Sequence, residues 1–262
     1  MNSNIEKRVE RELKDHTEKD ILGNSYQLKN RFSHIWHYPS RLRLFKRMDE
    51  LSSSLTNKTI LDYGCGRGEE SIKYIKSGAT KVFGIDISPV YVKEAAINAN
   101  RHGFSEDKYS FLTMDAHKLS FPDNTFDLVI GQGILHHLDP DVALNEIFRV
   151  LKSDGMVVLQ EPLADNPLLK SFRLLTPDAR TVDEAPFTKE QIKSFESNNN
   201  WKSHTIYCGV LEAPVAMITS ILTPKKPQNW LLKFTDRIES YMHVKGILNS
   251  WNQYVLLILE KK

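Results

Sequence analysis

The chain is poor in the residues that mark disulfide-rich, metal-cluster and membrane-spanning proteins. Only two cysteines occur among 262 residues, Cys65 and Cys208, and two distant thiols build neither a disulfide framework nor a zinc cluster. No run of about eighteen apolar residues is present, which a membrane-spanning helix would need. The strongly charged start also lacks the apolar core of a secretory signal. We therefore expect a cytoplasmic protein without an integral membrane segment and without a bound metal.

Neither sign of charge predominates, because the net charge is only +2 and both signs are interspersed. A nucleic-acid-binding protein would instead show a basic stripe, so nucleic acid is not expected as a partner. Apolar residues make up 40% of the chain, which is enough for a full core. The length and composition predict one α/β domain with elaborations, or a domain with a cap.

One stretch combines a buried strand with a glycine-dense turn. Residues 59–63 predict the strand, and residues 69–77 predict the helix that follows the turn. Between them, three glycines stand at alternate positions: Gly64, Gly66 and Gly68. Glycine lets the backbone bend tightly and approach a ligand closely. Asp62 stands at the carboxyl end of the strand, where ligands of open α/β sheets bind.

The spacing of this turn favours a ligand without phosphates. A dinucleotide site has the pattern G-x-G-x-x-G, whereas this chain has D-x-G-x-G-x-G followed by Glu69 and Glu70. Two carboxylates at a helix start would repel a diphosphate, although they suit the helix dipole. A cationic ligand such as S-adenosylmethionine suits the local charge better. We interpret Cys65, inside the turn, as a small filler rather than a nucleophile.

Two further acids follow predicted strands. The strand 81–86 ends in Asp86, and an acid at this place can accept hydrogen bonds from both ribose hydroxyls. Nicotinamide sites share this feature, so it indicates a nucleoside rather than one cofactor. The strand 109–114 is followed by Asp115 and Ala116. Asp115 alone fits a helix cap as well as a ligand contact.

Residues 59–160 together resemble the class I S-adenosylmethionine-dependent methyltransferases. The block 60–68 resembles the first motif of that family. The passages F-P-D-x-x-F-D-x-V at 121–129 and R-V-L-K-x-x-G at 149–155 resemble its type 11 branch, which includes quinone C-methyltransferases. The resemblance implies S-adenosylmethionine as the cofactor, and it implies that Asp115 and Ala116 contact the adenine. The cofactor-binding residues that it implies are Asp62, Gly64, Cys65, Gly66, Gly68, Asp86, Ile87, Asp115, Ala116 and Gln132.

The resemblance also implies a Rossmann-like α/β fold. The sheet is expected to have seven mostly parallel strands with an antiparallel last strand, and helices on both faces. The remaining strands are predicted at 126–130, 156–160, 204–207 and 251–260. We expect Gly155 in the turn before the fifth strand, Asp141 as the cap of a helix at 142–151, and Thr188 as the cap of a later helix.

The domain organisation follows from composition. Residues 1–52 predict a helical extension or cap, of which the charged residues 1–20 indicate a frayed helix or a disordered tail. Residues 53–262 predict the methyltransferase domain, with insertions at about 161–187 and 209–250. The apolar stretch that begins at Val210 favours a packed helical pair over a lipid contact. It also leaves open an apolar acceptor wall or the interface of a homodimer.

Residues for acceptor chemistry follow the fourth strand. His136 and His137 are candidate general bases, and the alternative is that they only hold the loop in shape. Substrate contacts are expected from the cap and from the first insertion, at Tyr26, Trp36, Tyr38, Glu161, Asn166 and Arg180. An alternative for the insertion is that Arg173 and Arg180 pair with Asp183 and Glu184 to hold it together.

These features predict a methyltransferase that acts on a small-molecule acceptor. The sulfonium is a good leaving group, so the enzyme mainly aligns an O-, N- or C-nucleophile with the methyl group and excludes water. Two alternatives stay open, a nicotinamide-dependent oxidoreductase and a catalytically silent cofactor-binding partner protein. Nucleic-acid methylation is disfavoured, because no N-P-P-Y passage follows the fourth strand.

Overall fold

The structure is a computed structural model that describes residues 3–18, 23–24, 27, 30–174, 181, 183–245, 247 and 251–262. Its centre is a seven-stranded sheet. The strands are β1 Thr59–Tyr63, β2 Lys81–Asp86, β3 Tyr109–Thr113, β4 Phe126–Gln132, β5 Leu151–Pro162, β6 Trp201–Cys208 and β7 Tyr254–Lys261. They are arranged in the order β3-β2-β1-β4-β5-β7-β6.

Helices surround this sheet. They are α1 Ser3–Glu18, α2 Pro39–Leu51, α3 Glu69–Lys76, α4 Pro89–Arg101, α5 Pro140–Val150, α6 Pro167–Leu174, α7 Lys189–Glu196, α8 Glu212–Leu222 and α9 Trp230–Val244. Short 3₁₀ helices span Ser33–Trp36 and Leu135–His137. The charged start of the chain, expected as a frayed helix or a tail, contains the regular sixteen-residue helix α1.

The strand directions confirm the expected α/β class. Strands β1 to β5 pair in parallel, while β7 lies antiparallel between β5 and β6. Parallel strands joined by helical crossovers are buried on both faces, and β1 is accordingly an almost uninterrupted buried run. The carboxyl ends of β1, β2 and β4 therefore meet at one edge of the sheet, and the glycine turn leaves the sheet there.

The start of β5 differs from the prediction. The strand begins at Leu151, directly after α5, and Gly155 lies inside it rather than in a preceding turn. The register between β4 and β5 shifts between Phe126 and Leu128, and this irregularity accommodates the extra residues. A Cβ on Gly155 would approach Cγ of Leu151 to 2.7 Å, so the close approach of Leu151 excludes a larger residue.

Of the two predicted helix caps, one is wrong and one is confirmed. Asp139, not Asp141, caps α5, because its carboxylate accepts a hydrogen bond from the N–H of Val142 and Pro140 occupies the first turn. Proline favours that position since its missing N–H has no helical partner there. The cap at Thr188 is confirmed, and Gln191 completes a reciprocal capping box with it.

The core has two layers, one on each face of the sheet. One layer contains Leu61, Tyr63, Val129 and Ile147, and the other contains Ile60, Leu128, Leu44 and Leu256. Alternate residues of β1 and β4 thus supply opposite layers, as the two-residue period of a strand requires. Within the described part of the chain, no helix combines the length and the apolar character needed to cross a membrane.

Candidate functional site

A cleft opens where β1, β2 and β4 end. It holds about 790 Å³ of empty space, counting its open mouth. Eight of the residues predicted for the site line it: Gly64, Gly66, Asp86, Ile87, Asp115, Ala116, Gln132 and His137. The structure therefore brings most of the predicted cofactor set together around one space.

Asp86 joins the ends of the first two strands. Its Oδ2 accepts a hydrogen bond from the N–H of Gly66 at 2.9 Å, and its Oδ1 accepts one from the N–H of Ser88 at 2.9 Å. Burial raises the pKa of this carboxyl, and the two backbone donors oppose that shift. Each carboxylate oxygen can accept more than one hydrogen bond, so Asp86 can hold the turn and still receive ligand hydroxyls.

The glycine turn passes close to the loop that follows β4. Gly64 has φ +79°, and a Cβ there would lie 3.0 Å from the side chain of Ile134. Gly66 has φ +50°, also in the left-handed region that favours glycine. Both residues line the cleft with backbone alone, which lets a ligand approach the turn closely.

Asp115 is held by a neighbour that the sequence interpretation did not include. Its Oδ1 lies 2.9 Å from the N–H and 2.7 Å from Nδ1 of His117. Nε2 of His117 accepts the N–H of Asp139 at 2.8 Å, so the proton of a neutral ring must be on Nδ1, facing the acid. Burial pushes the pKa of Asp115 upward, but the bonds from His117 outweigh it and leave that pKa below its ordinary value.

Three predicted cofactor residues lie outside the cleft. Asp62 is almost fully buried and its carboxylate accepts a hydrogen bond from Oγ of Ser71, which ties β1 to α3. Burial raises the pKa of Asp62 to about 7, and the bond from Ser71 opposes that shift. Cys65 is buried beneath the turn. Gly68 has φ +81°, and a Cβ there would meet Ala95 at 2.9 Å, so it allows α3 and α4 to pack.

The two adjacent histidines have different surroundings. His136 is buried, and its Nδ1 lies 2.7 Å from Oε2 of Glu161. Glu161 is fully buried and also accepts hydrogen bonds from the N–H groups of Ile134 and Leu135 at 3.2 and 2.8 Å. The pair therefore fixes the loop after β4, and neither side chain lines the cleft. This geometry matches the alternative in which His136 holds the loop in shape.

His137 faces the cleft beneath helix α1. Its Nδ1 lies 3.2 Å from Oε1 of Glu12 and 3.1 Å from Oγ1 of Thr181. Oγ1 of Thr181 in turn donates to Oε1 of Glu12 at 2.7 Å. Burial acts to raise the pKa of Glu12, but its contacts with His137 and His16 hold it well below its usual range. The carboxylate of Glu12 therefore orients the His137 ring.

Helix α1 forms the roof of the cleft. Arg8, Val9, Glu12 and His16 line it from above. Nη2 of Arg8 donates to the backbone oxygens of His136 and Asp183, at 3.1 and 2.8 Å. Arg11 makes two 2.7 Å hydrogen bonds to the carboxylate of Asp183. The cap was predicted, but its residues Arg8 and Glu12 were not among the predicted site residues, because their partners are more than a hundred residues away in the sequence. Only the apolar spacing of Ile5 and Val9 indicates a packed face.

Three residues of types that can bind a metal ion lie together at the roof. Glu12, His16 and His137 place ligand atoms within 4.8 Å of one another. Oε1 of Glu12 is bonded to Thr181 and His137, and Oε2 of Glu12 lies 3.5 Å from Nε2 of His16. The carboxylate of Glu12 therefore contacts both histidines of this cluster.

The remaining predicted substrate residues lie elsewhere. Tyr38 is fully buried on the other face of the sheet and donates a hydrogen bond to Gln253 at 2.8 Å, so it cannot reach the cleft. Trp36 lines a second groove between α2 and α3, which shares Gln132 with the cleft. Asn166 is fully buried and donates to the backbone oxygens of Val210 and Trp251. Tyr26 and Arg180 lie outside the described residues.

The first insertion contacts the roof helix, while Arg180 of the expected pairing lies outside the described residues. The carboxylate of Asp183 pairs with Arg11 of the roof. Nη2 of Arg173 donates to the backbone oxygen of Leu163 at 2.7 Å. The insertion is thus attached to α1 as well as to its own residues, which joins the roof to the edge of the cleft.

A family model for a methyltransferase domain matches residues 54–234. The chain belongs to this methyltransferase domain family. The match includes the glycine turn, Asp86, Asp115 and both histidines, and membership places the chain among the S-adenosylmethionine-dependent methyltransferases of the class I fold. Helix α1 and the final strand β7 lie outside the matched range.

A relative in sequence agrees with this membership, and solved structures share the fold. The sterol 24-C-methyltransferase erg6 of Aspergillus fumigatus is 34% identical over 122 residues, which is 44% of this chain and 32% of that protein. The chain therefore spans about a third of the length of such curated relatives. The fold is similar to geranyl diphosphate C-methyltransferase from Streptomyces coelicolor (TM-score 0.60, 16% identity, 82% and 73% of the chains). It is also similar to the [4+2]-cyclase SpnF (TM-score 0.54, 21% identity, 82% and 80% of the chains).

Proposed function

We propose that this methyltransferase-family protein transfers the methyl group of S-adenosylmethionine to a small-molecule acceptor. The observation that carries the proposal is the hydrogen bond between Asp86 and Gly66 inside the cleft. It joins the acid expected to bind the ribose to the turn expected to receive the amino acid end. A ligand with both parts therefore fits one continuous space.

Each part of the cofactor has a matching group in the cleft. The carboxylate of Asp86 accepts the ribose hydroxyls, as acids at this strand end do. Asp115, oriented by His117, accepts a hydrogen bond from the adenine amino group, and the backbone beside Ala116 completes that edge. Gly64 and Gly66 offer backbone to the amino acid end of the cofactor. The roof helix α1 excludes water, which favours transfer to the acceptor over side reactions.

The chemistry of the acceptor decides which catalytic groups are needed besides the cofactor site. In-line displacement at the sulfonium requires mainly alignment of the nucleophile with the methyl group. A neutral amine or an activated carbon needs little beyond this alignment. A hydroxyl must also lose a proton, and His137 is the group in the cleft suited to take it.

The geometry around His137 supports this role. Its Nδ1 is bonded to Glu12 and Thr181. A proton on Nδ1 pointing at the Glu12 carboxylate leaves Nε2 unprotonated and available as a base. Glu12 is then a positioning residue for His137, because it orients the ring.

The test is transfer of an isotope-labelled methyl group from S-adenosylmethionine to a panel of phenols, alcohols, amines and activated carbon acids. We expect labelled product with at least one class, and loss of transfer in Asp86→Ala. Asp154→Ala is the matched control, because Asp154 is exposed on β5. Cofactor binding with no transfer to any class would instead favour a protein that uses the fold without methyl transfer.

A further inference from the structure

Large apolar side chains are exposed together on helices α8 and α9. They form what we call the α8–α9 surface: Ile218, Ile221, Leu222, Trp230, Phe234, Ile238, Tyr241 and Val244. Trp230 is 76% exposed and Leu222 is 72% exposed. Scattered exposed apolar residues are ordinary, but a concentration of this kind indicates an interaction site.

Helix α9 carries two apolar stripes, although packing onto α8 and α2 requires only one. The inner stripe contains Leu232 and Met242, which are buried. The outer stripe contains Trp230, Phe234 and Ile238, spaced four residues apart, so they lie on one face of the helix. The outer stripe is therefore not explained by the core of the described chain.

The ionic groups around this surface are cationic where they face solvent. Five exposed basic residues lie on, between or directly after the two helices: Lys225, Lys226, Lys233, Arg237 and Lys245. The acidic residues of the same helices do not balance them. Glu212 and Glu239 are buried, and Asp236 is paired with Arg43 of α2.

Exposed apolar side chains beside exposed basic residues favour one kind of binding partner over another. A second copy of the chain on a two-fold axis would bring the same lysines together, and like charges across an interface are unfavourable. An anionic lipid surface accepts both features, because apolar and tryptophan side chains enter the headgroup boundary while lysines contact the lipid charges. The groove beside Lys233 contains Leu232 and, on α2, Pro39 and Leu42 among polar residues, so apolar side chains are also present on α2.

We propose that the α8–α9 surface docks peripherally onto a membrane that contains anionic lipid, with Trp230 and Phe234 inserted at the headgroup boundary and Lys225 and Lys226 on the lipid charges. This is an interaction surface separate from the cleft. It does not depend on which acceptor the cleft takes, or on methyl transfer at all.

The test is co-sedimentation of the full chain with vesicles. Phosphatidylcholine vesicles containing phosphatidylglycerol are compared with vesicles of phosphatidylcholine alone. We expect binding to the anionic vesicles, weakening as salt rises. Lys225→Gln/Lys226→Gln should weaken binding about 25-fold at low salt, from about 1 kcal/mol per lysine, or about fivefold each.

Apolar variants and controls complete the test. Trp230→Ser/Phe234→Ser, both exposed in the folded chain, should weaken vesicle binding at least about tenfold. Ile97→Ser on α4, 41% exposed, should leave it unchanged, as should addition of S-adenosylhomocysteine. A wild-type chain that stays in the supernatant with anionic vesicles would overturn the proposal. So would a wild-type dimer that the apolar double variant makes monomeric without any vesicle binding, because that outcome assigns the surface to a second copy.

Discussion

Glu12 and His137 are 125 residues apart in the sequence, yet Oε1 of Glu12 lies 3.2 Å from Nδ1 of His137. This contact joins the roof helix α1 to the loop that follows β4. It connects a charged N-terminal segment to the chemistry of the cleft. The adjacent His136 is bonded instead to Glu161 beneath the loop, so two neighbouring histidines are expected to respond differently to substitution.

Replacing each histidine separates a role in chemistry from a role in folding. His137→Gln should lower kcat for a hydroxyl acceptor by about a hundredfold or more, as loss of a general base does, with little change in melting temperature. His136→Gln should lower the free energy of unfolding by about 3 kcal/mol, because it disrupts the charged hydrogen bond of fully buried Glu161. Thermal unfolding and steady-state kinetics measure the two effects. Equal losses of kcat with unchanged stability in both variants would contradict the separate roles of the two histidines.

The roof should control how fast the cofactor leaves. Arg8→Ala/Glu12→Ala removes the contacts of α1 with the loop and with Thr181, so we expect S-adenosylhomocysteine to dissociate about tenfold faster, equivalent to about 1.4 kcal/mol of closure. Stopped-flow displacement measures this rate. Lys14→Ala is the control, since Lys14 is exposed and its ion pair is with Glu18 of the same helix. An unchanged dissociation rate in the double variant would exclude α1 as a gate.

A buried pair of acids should make stability depend on pH. Burial and the nearby Glu239 raise the pKa of Glu212 to about 8, above its value near 4.5 in the unfolded chain. A raised pKa means that the stabilisation is present below the unfolded pKa and is lost as pH rises through the folded one. Urea denaturation should therefore show the wild type losing stability between about pH 5 and pH 9, by an amount on the order of a few kcal/mol.

Two isosteric variants test that assignment. Glu212→Gln should flatten this loss, because the neutral amide keeps the shape of the protonated acid. Glu239→Gln should destabilise the fold at every pH, since Glu239 accepts the N–H groups of Gly209, Leu211 and Glu212. A Glu212→Gln variant whose pH profile parallels the wild type would contradict the shifted pKa.

Local patterns in the sequence predicted part of the fold well. The bounds of β1 and β2 agree with the structure, because a buried parallel strand that ends in glycine or an acid is recognisable without its neighbours. Asp86 and Asp115 lie in the cleft as expected, since the carboxyl ends of parallel strands must meet at one edge.

Long-range contacts account for what the sequence left unpredicted. Glu161 stands at the edge of the site in sequence, but three backbone N–H groups of another loop draw its carboxylate into the interior. Tyr38 was expected to contact the substrate from the N-terminal cap, but it is fully buried and donates a hydrogen bond to Gln253. The roof residues Arg8 and Glu12 belong to a charged segment whose partners no local periodicity reveals.

The central claim is that S-adenosylmethionine binds between the glycine turn and Asp86. Calorimetric titration with S-adenosylhomocysteine tests it most directly, using the wild type, Asp86→Ala and the exposed-site control Asp154→Ala. We predict one site per chain with micromolar or tighter affinity in the wild type and in the control, and a loss of at least about a hundredfold in Asp86→Ala, which removes the acceptor of two ribose hydrogen bonds. No heat of binding in the folded wild type, or full affinity in Asp86→Ala, would contradict the account.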